Sequence, residues 1–218
     1  MALIKKYTDK FIDSSLFILF LSIFSILIGQ IPIISPLFNN SSSGLLALWG
    51  VLGMFVVPIF SIIFLFKKDV SIFGFRWPKI KDSKFIIYFL SFIFIAIAFL
   101  MSFNESFQNY YQLNLSLPEF LWQLVFLSLI YYLSEEFLFR GFMFFGLFRK
   151  IGLHSFWVVT LIFTLFHIGK PGIEIVFASI FSLFLCFLSY KTKSFLPAAI
   201  LHFLVALTLN IMVNFVLI

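Results

Sequence analysis

Charge is scarce in this sequence. Charged residues are 11% of its 218 positions, against about 25% in an average soluble domain. Cysteine is nearly missing: Cys186 has no second cysteine to pair with, and inside a Phe/Leu run it reads as a small packing residue. There is no HExxH zinc-protease motif, no internal repeat and no low-complexity tract between segments. The first apolar run is long and no small-residue cleavage site follows it, so it reads as an uncleaved first span rather than a signal peptide. The apolar stretches do not alternate with polar residues, which excludes a membrane barrel.

What is abundant is apolar surface. Hydrophobic residues are 62% of the chain, including 36 phenylalanines, and the mean hydropathy is +1.14. A soluble fold of this length could not bury that much apolar area. The expectation is an all-α, polytopic membrane helix bundle forming one domain over residues 1–218. Seven apolar segments stand out: 14–34, 45–66, 85–103, 120–148, 155–168, 173–190 and 195 to the end. Most approach the ~20 residues that cross a ~30 Å hydrocarbon core. The fourth is too long for that, about 43 Å as one helix, so a tilt or a bend near Gly141 is expected. The fifth is short, and its end at His167 would be buried within the protein.

Polar segments separate these runs. Residues 1–13 form a charged arm, Pro36 and the polar run 39–44 make a turn, and 104–119 is a loop without Lys or Arg. Residues 67–84 mix Lys and Arg with Phe73, Phe75 and Trp77, which suits an aromatic–basic belt at the bilayer surface better than a nucleic-acid patch. Threading seven spans puts every Lys and Arg on one face of the membrane except Arg140, inside a span, and Lys170. The positive-inside rule makes that face cytoplasmic, with the N-terminus in and the C-terminus out. The net charge of +6 is thereby absorbed, so the bilayer is a partner and nucleic acid is not.

Against this background Ser134–Gly141 is conspicuous, because Glu135, Glu136 and Arg140 interrupt an apolar helix. Each would cost about 2.5–3.5 kcal/mol at mid-membrane, which marks a pathway, a switch or a catalytic site. Glu136 and Arg140 are four apart and share a helix face. Glu135 points about 100° away, free to address another helix. Counting along the helices puts Glu135 about 21 Å, His167 ~18 Å and His202 ~10 Å from the cytoplasmic ends of their segments. A Glu beside a neutral His can activate water. Taken singly, Glu136–Arg140 reads equally as a structural ion pair, and a lone intramembrane His as an interhelical hydrogen-bonding residue. His154 reads as interfacial, and Glu174 as a carboxylate suited to a helix N-terminus.

Glu135-Glu136-x-x-x-Arg140, then Phe163-x-x-x-His167, then His202 in a late span resembles the CPBP family over roughly residues 120–210. These are the CAAX prenyl endopeptidase and bacteriocin-processing intramembrane proteases, also called the Abi family and commonly labelled metalloproteases. The resemblance implies peptide-bond hydrolysis within the membrane. Glu135 with His167 would activate water, His202 would help stabilise the oxyanion, and Glu136 and Arg140 would support them. Its substrate would be membrane-associated, such as a bacteriocin or pheromone-type precursor or a membrane-protein tail; the Phe/Ile/Lys-rich composition fits a low-GC bacterium, hence a bacterial plasma membrane. No cofactor is certain: Glu135, His167 and His202 could hold zinc with an open fourth position, or serve in metal-free acid–base catalysis.

The sequence departs from the family pattern at one place. An Asn or Asp usually stands four residues after the last His, where this chain has Ala206. Asn210 is about 80° round and ~12 Å along the helix, and Thr208 is another donor nearby. The alternatives are therefore a silent membrane scaffold for bacteriocin self-immunity or sensor-kinase regulation, which Ala206 favours, and a transporter, which the missing repeat symmetry disfavours. Oligomeric state is not encoded legibly.

Overall fold

The computed structural model describes residues 14–31, 43–79, 84–113 and 115–217. The expected charged arm at 1–13, the turn at Pro36 and most of 39–44, and Lys81 lie outside the described residues. Every regular element described is helical. The helices are α1 (Ser15–Gly29), α2 (Ser43–Leu65), α3 (Lys84–Met101), α4 (Glu105–Tyr111), α5 (Leu117–Ile151), α6 (His154–Phe166), α7 (Gly172–Thr192) and α8 (Leu196–Val216).

Apolar helices fall on all seven expected segments, but their lengths differ. Among the described residues, four helices (α2, α5, α7 and α8) are long and apolar enough to cross a membrane, or up to five if α3 and α4 form one span bent by 89°. α1 and α6 are shorter apolar helices. The chain is thus an integral, multi-pass membrane protein. The segment 104–119, expected as a loop, instead holds α4 and the start of α5. Asn104 caps α4 by accepting the Ser106 amide at 2.9 Å, and Ser116 with Glu119 forms a capping box at the head of α5. Short polar side chains that look like loop formers are here satisfying the free amides of helix starts.

α5 is the axis of the bundle. It runs for 35 residues, about 52 Å at 1.5 Å per residue. Leu121–Leu127 and Phe137–Phe144 are wound with the wider i→i+5 turn, a winding that commonly marks functional segments. The second stretch directly follows Glu136, and every residue in it is buried. Around it Phe137, Phe139, Phe142, Phe144 and Phe163 form the main core with α1, α2 and α6. α8 packs on α5 and α3, and α6 on α7. Outward-facing Phe20, Phe85, Phe92 and Trp157 are exposed, as lipid-facing side chains should be.

Close helix crossing needs small residues, because lipid tails offer no hydrophobic contrast. Gly53 of α2 supplies this: a Cβ there would collide with the Gly29 amide nitrogen and lie 2.5 Å from the Ser25 carbonyl oxygen of α1. Several hydroxyls inside the bundle are returned to their own helix, as when Ser22 Oγ donates to the Ile18 carbonyl at 2.8 Å.

The connection 67–79 is more than a surface belt. Asp69 caps the turn Val70–Phe73, and hydrogen bonds from the Ser71 hydroxyl and amide hold its carboxyl below the usual value. Gly74 takes φ 81°, where a Cβ would strike the Phe145 ring. That turn drives Phe73 into the core at 1% exposure, while Trp77 stays 87% exposed. Arg149 covers Phe73 at 4.2 Å and donates to the Ile72 carbonyl at 2.8 Å. Backbone contacts from Lys79 to Thr192 and from Phe195 to Gly74 tie this segment to the α7–α8 turn.

Candidate active site

Glu136 and Arg140 occupy successive turns of α5, and Arg140 Nη1 donates to Glu136 Oε1 at 2.9 Å. Both are 0% exposed, so neither charge is answered by water. Arg140 Nη2 donates to Ser182 Oγ on α7 at 2.9 Å, and its guanidinium carbon lies 4.1 Å from the centre of the Phe163 ring on α6. From the other side His202 of α8 brings Nδ1 to 2.7 Å from the same Glu136 oxygen. One ion pair on α5 therefore anchors α6, α7 and α8.

His167 closes α6 as its C-cap, with φ −93° and ψ 2°. Its Nδ1 lies 2.9 Å from the Phe163 carbonyl oxygen, and its ring centroid is 4.5 Å from that of Phe163. The Phe-x-x-x-His spacing thus has a physical sense: the Phe163 ring contacts both the Arg140 guanidinium and, at a tilt, the His167 ring, while its carbonyl orients the imidazole. His202 is boxed by the rings of Tyr132 at 4.4 Å, Phe181 at 5.6 Å and Phe163 at 5.8 Å.

Glu135, His167 and His202 line one cavity of about 280 Å³, together with Tyr132 and Lys170. Glu135 Oε1 is buried without a hydrogen-bond partner and lies 3.8 Å from His202 Nδ1. An orphaned carboxylate oxygen is costly unless something uses it. A smaller pocket of about 50 Å³ adjoins His167, His202 and Tyr132 and is bordered by Ala206 and Asn210. Asn210 turns its amide back to the Ala206 carbonyl at 2.8 Å. Thr208 likewise returns its hydroxyl to the Leu204 carbonyl at 2.8 Å.

Three donors lie within 4.8 Å of one another, namely Glu135, Glu136 and His202, and His167 is outside that group. Glu136 Oε1 and His202 Nδ1 are already joined to each other, and Arg140 shares the same oxygen. A guanidinium at that distance would repel a divalent cation. These donors fit a hydrogen-bonded ion pair better than a zinc centre.

Other polar residues at the site were less legible. Glu174, expected only to suit a helix start, accepts from Lys170 Nζ at 2.9 Å and from the Tyr111 hydroxyl at 2.7 Å. The i,i+4 spacing of Lys170 and Glu174 is the signal that could have paired them; Tyr111, 63 residues away, has none. Ser182 also carries no local signal. Tyr132 does, being one turn before Glu135 and Glu136. His154 is exposed at the start of α6, and Cys186 is fully buried.

The fold and site define a polytopic helical membrane protein whose buried carboxylates and imidazoles meet inside the bundle. Residues 117–208 match the family model described as type II CAAX prenyl endopeptidase Rce1-like, so this stretch is similar to the domain of that family. No curated protein and no solved structure matches the chain significantly.

Proposed function

We propose that the protein is an intramembrane endopeptidase in which Glu135 is the general base, His167 its partner and His202 a wall of the reacting space. The observation that carries this reading is the single cavity shared by Glu135, His167 and His202, with Glu135 Oε1 unclaimed. The neighbouring Glu136 is held by Arg140 and His202, so the two carboxylates have separate tasks. Glu136 fixes the helices; Glu135 takes the proton of a water as it attacks the peptide carbonyl and returns it to the leaving amine. His167, with Nδ1 committed to Phe163, has Nε2 left to orient that water.

The substrate in this proposal is a membrane-associated peptide, either a bacteriocin or pheromone-type precursor or the tail of a membrane protein. The one-sided distribution of Lys and Arg supports a cytoplasmic N-terminus, and the membrane in this proposal is a bacterial plasma membrane. The silent-scaffold alternative rests on Ala206 alone, whereas the family match is to endopeptidases.

The test uses the purified chain in proteoliposomes with fluorescence-quenched peptides, anchored by an S-farnesyl cysteine or by an apolar helix. Glu135→Gln and His167→Ala are each expected to lower turnover at least ~10²-fold, the usual contribution of a positioned acid–base group. Cleavage at the parent rate in both variants would sink the reading.

A further inference from the structure

A second cavity lies apart from the carboxylates. It measures about 330 Å³ and is walled by α2, α5, the 67–79 segment and the head of α8. The rings of Phe55, Phe75 and Phe195 follow one another at 6.1 and 5.7 Å, and Val51, Leu133 and Ser134 extend the same wall. Ser134 offers no free donor, because its hydroxyl is returned to the Ile130 carbonyl at 2.9 Å. None of Glu135, His167 and His202 borders this space. A peptide laid there would leave its amides and carbonyls unpaired, which is costly. A hydrocarbon chain has nothing to pair. An apolar cavity of about 150 Å³ holds a benzene ring, so this one takes about a dozen chain carbons.

The rim of the cavity is cationic. Arg76 directly follows Phe75, and its Nε donates to the Lys193 carbonyl at 2.8 Å, two residues before Phe195. The Ser194 hydroxyl donates to the Arg76 carbonyl at 2.6 Å, so the two segments that carry Phe75 and Phe195 are pinned together. Lys193 turns its own ammonium onto the Tyr190 ring at 4.1 Å. Arg76 is exposed, and its Nη1 and Nη2 have no partner among the described residues. Two free guanidinium nitrogens make a fork that fits a phosphate. Trp77 beside it is 87% exposed, which sets this rim at the level of lipid headgroups. On the threading of the chain it is also the face rich in Lys and Arg, to which anionic lipids are drawn.

We propose that this cavity is a binding site for one anionic phospholipid, with an acyl chain along Phe55, Phe75 and Phe195 and the phosphate on the free Nη groups of Arg76. The two halves of the site match the two halves of such a lipid: a wall without free donors for the chain, and a fork of donors a few bonds away for the headgroup. An uncharged chain would use the wall and leave the fork idle. The site is independent of the endopeptidase reading, because it shares no side chain with Glu135, His167 or His202.

Native mass spectrometry of the purified chain, titrated in a non-ionic detergent with phosphatidylglycerol, counts the bound lipids and gives their affinity. One tight lipid per chain is expected, held at least ~5-fold more strongly than phosphatidylcholine with the same chains, the value of one basic residue at an anionic lipid. Arg76→Gln should abolish that preference while leaving phosphatidylcholine binding unchanged. Val51→Phe, which fills the cavity, should weaken both lipids at least ~4-fold, the equivalent of one displaced methylene. Lys67→Gln removes the same charge about 18 Å along α2 from Phe55 and should change binding less than about two-fold. Equal affinity of the parent for the two phospholipids would overturn the proposal. Equal losses in Lys67→Gln and Arg76→Gln would do the same, since the attraction would then be diffuse surface charge. Unchanged lipid binding in Val51→Phe would remove the chain from the cavity. Displacement of phosphatidylglycerol by farnesol at equal concentration would assign the cavity to an uncharged chain instead.

Discussion

His202 Nδ1 lies 2.7 Å from Glu136 Oε1 and 3.8 Å from Glu135 Oε1. The two adjacent carboxylates are therefore unequal, although the sequence writes them side by side. Glu136 belongs to a buried network that runs through Arg140 to Ser182, while Glu135 borders the cavity; each carboxylate keeps one buried oxygen, Glu135 Oε1 and Glu136 Oε2, without a hydrogen-bond partner. The division follows from helix geometry, since neighbours on a helix point about 100° apart and only one of them can meet Arg140 a turn later.

That inequality predicts opposite effects on stability. Glu136→Gln leaves the Arg140 charge buried without its counter-ion and should cost about 3–5 kcal/mol. Glu135→Gln removes a buried carboxylate whose contact with His202 is a long 3.8 Å and should be neutral or mildly stabilising. Equilibrium unfolding in mixed micelles measures both. Because Arg140 and Glu136 share one network, Glu136→Leu combined with Arg140→Met should cost less than the sum of the singles by at least ~1 kcal/mol. Equal losses for the two Gln variants, or strict additivity in the cycle, would contradict the division of roles.

How much of this was legible beforehand depends on the range of the interaction. Helical class, the seven apolar segments and the Glu136–Arg140 pair follow from composition and local spacing, and the pair forms as the i,i+4 rule requires. His202 was expected near the site, yet its choice of Glu136 over Glu135 is set by how α8 docks on α5, which no local pattern states. The partnership of Tyr111 with Glu174 is equally remote in sequence. The segment 104–119 misled because Asn104, Ser116 and Glu119 are polar for the sake of capping helices. Phe73 misled too: among basic residues it looks interfacial, but the left-handed Gly74 turns it inward under Arg149.

The metal question has a measurable answer. Glu136 Oε1 is shared by a guanidinium and an imidazole, and His167 is not part of the group of donors that lie mutually within 4.8 Å. Turnover of the quenched peptides is expected to survive 1,10-phenanthroline or EDTA, with less than about one-fifth of an equivalent of zinc per chain by elemental analysis; a catalytic centre would need three protein ligands and full occupancy. Loss of activity on chelation, restored by zinc, would show that the network rearranges to admit an ion.

Packing at the α1–α2 crossing provides a stability test far from the carboxylates. At Gly53 an added Cβ would meet the Gly29 amide nitrogen, the Ser25 carbonyl oxygen at 2.5 Å and the Gly29 Cα at 2.8 Å. All three are backbone atoms, so no side chain can swing aside and the helices themselves must separate. Overpacking of this kind costs about 1–3 kcal/mol, and Gly53→Ala should fall in that range or above it. Gly172, at the start of α7, has nothing within 4 Å of its hypothetical Cβ. Gly172→Ala should therefore be neutral, or stabilising by up to ~1 kcal/mol through the lower entropy of the unfolded chain. The displacement at Gly53 should also reach the site, because α1 continues into Gln30, which lines the cavity beside Glu135. Turnover should fall along with stability in Gly53→Ala and hold in Gly172→Ala. If the two alanine variants unfold alike, the glycine at position 53 is not what lets these helices cross so closely.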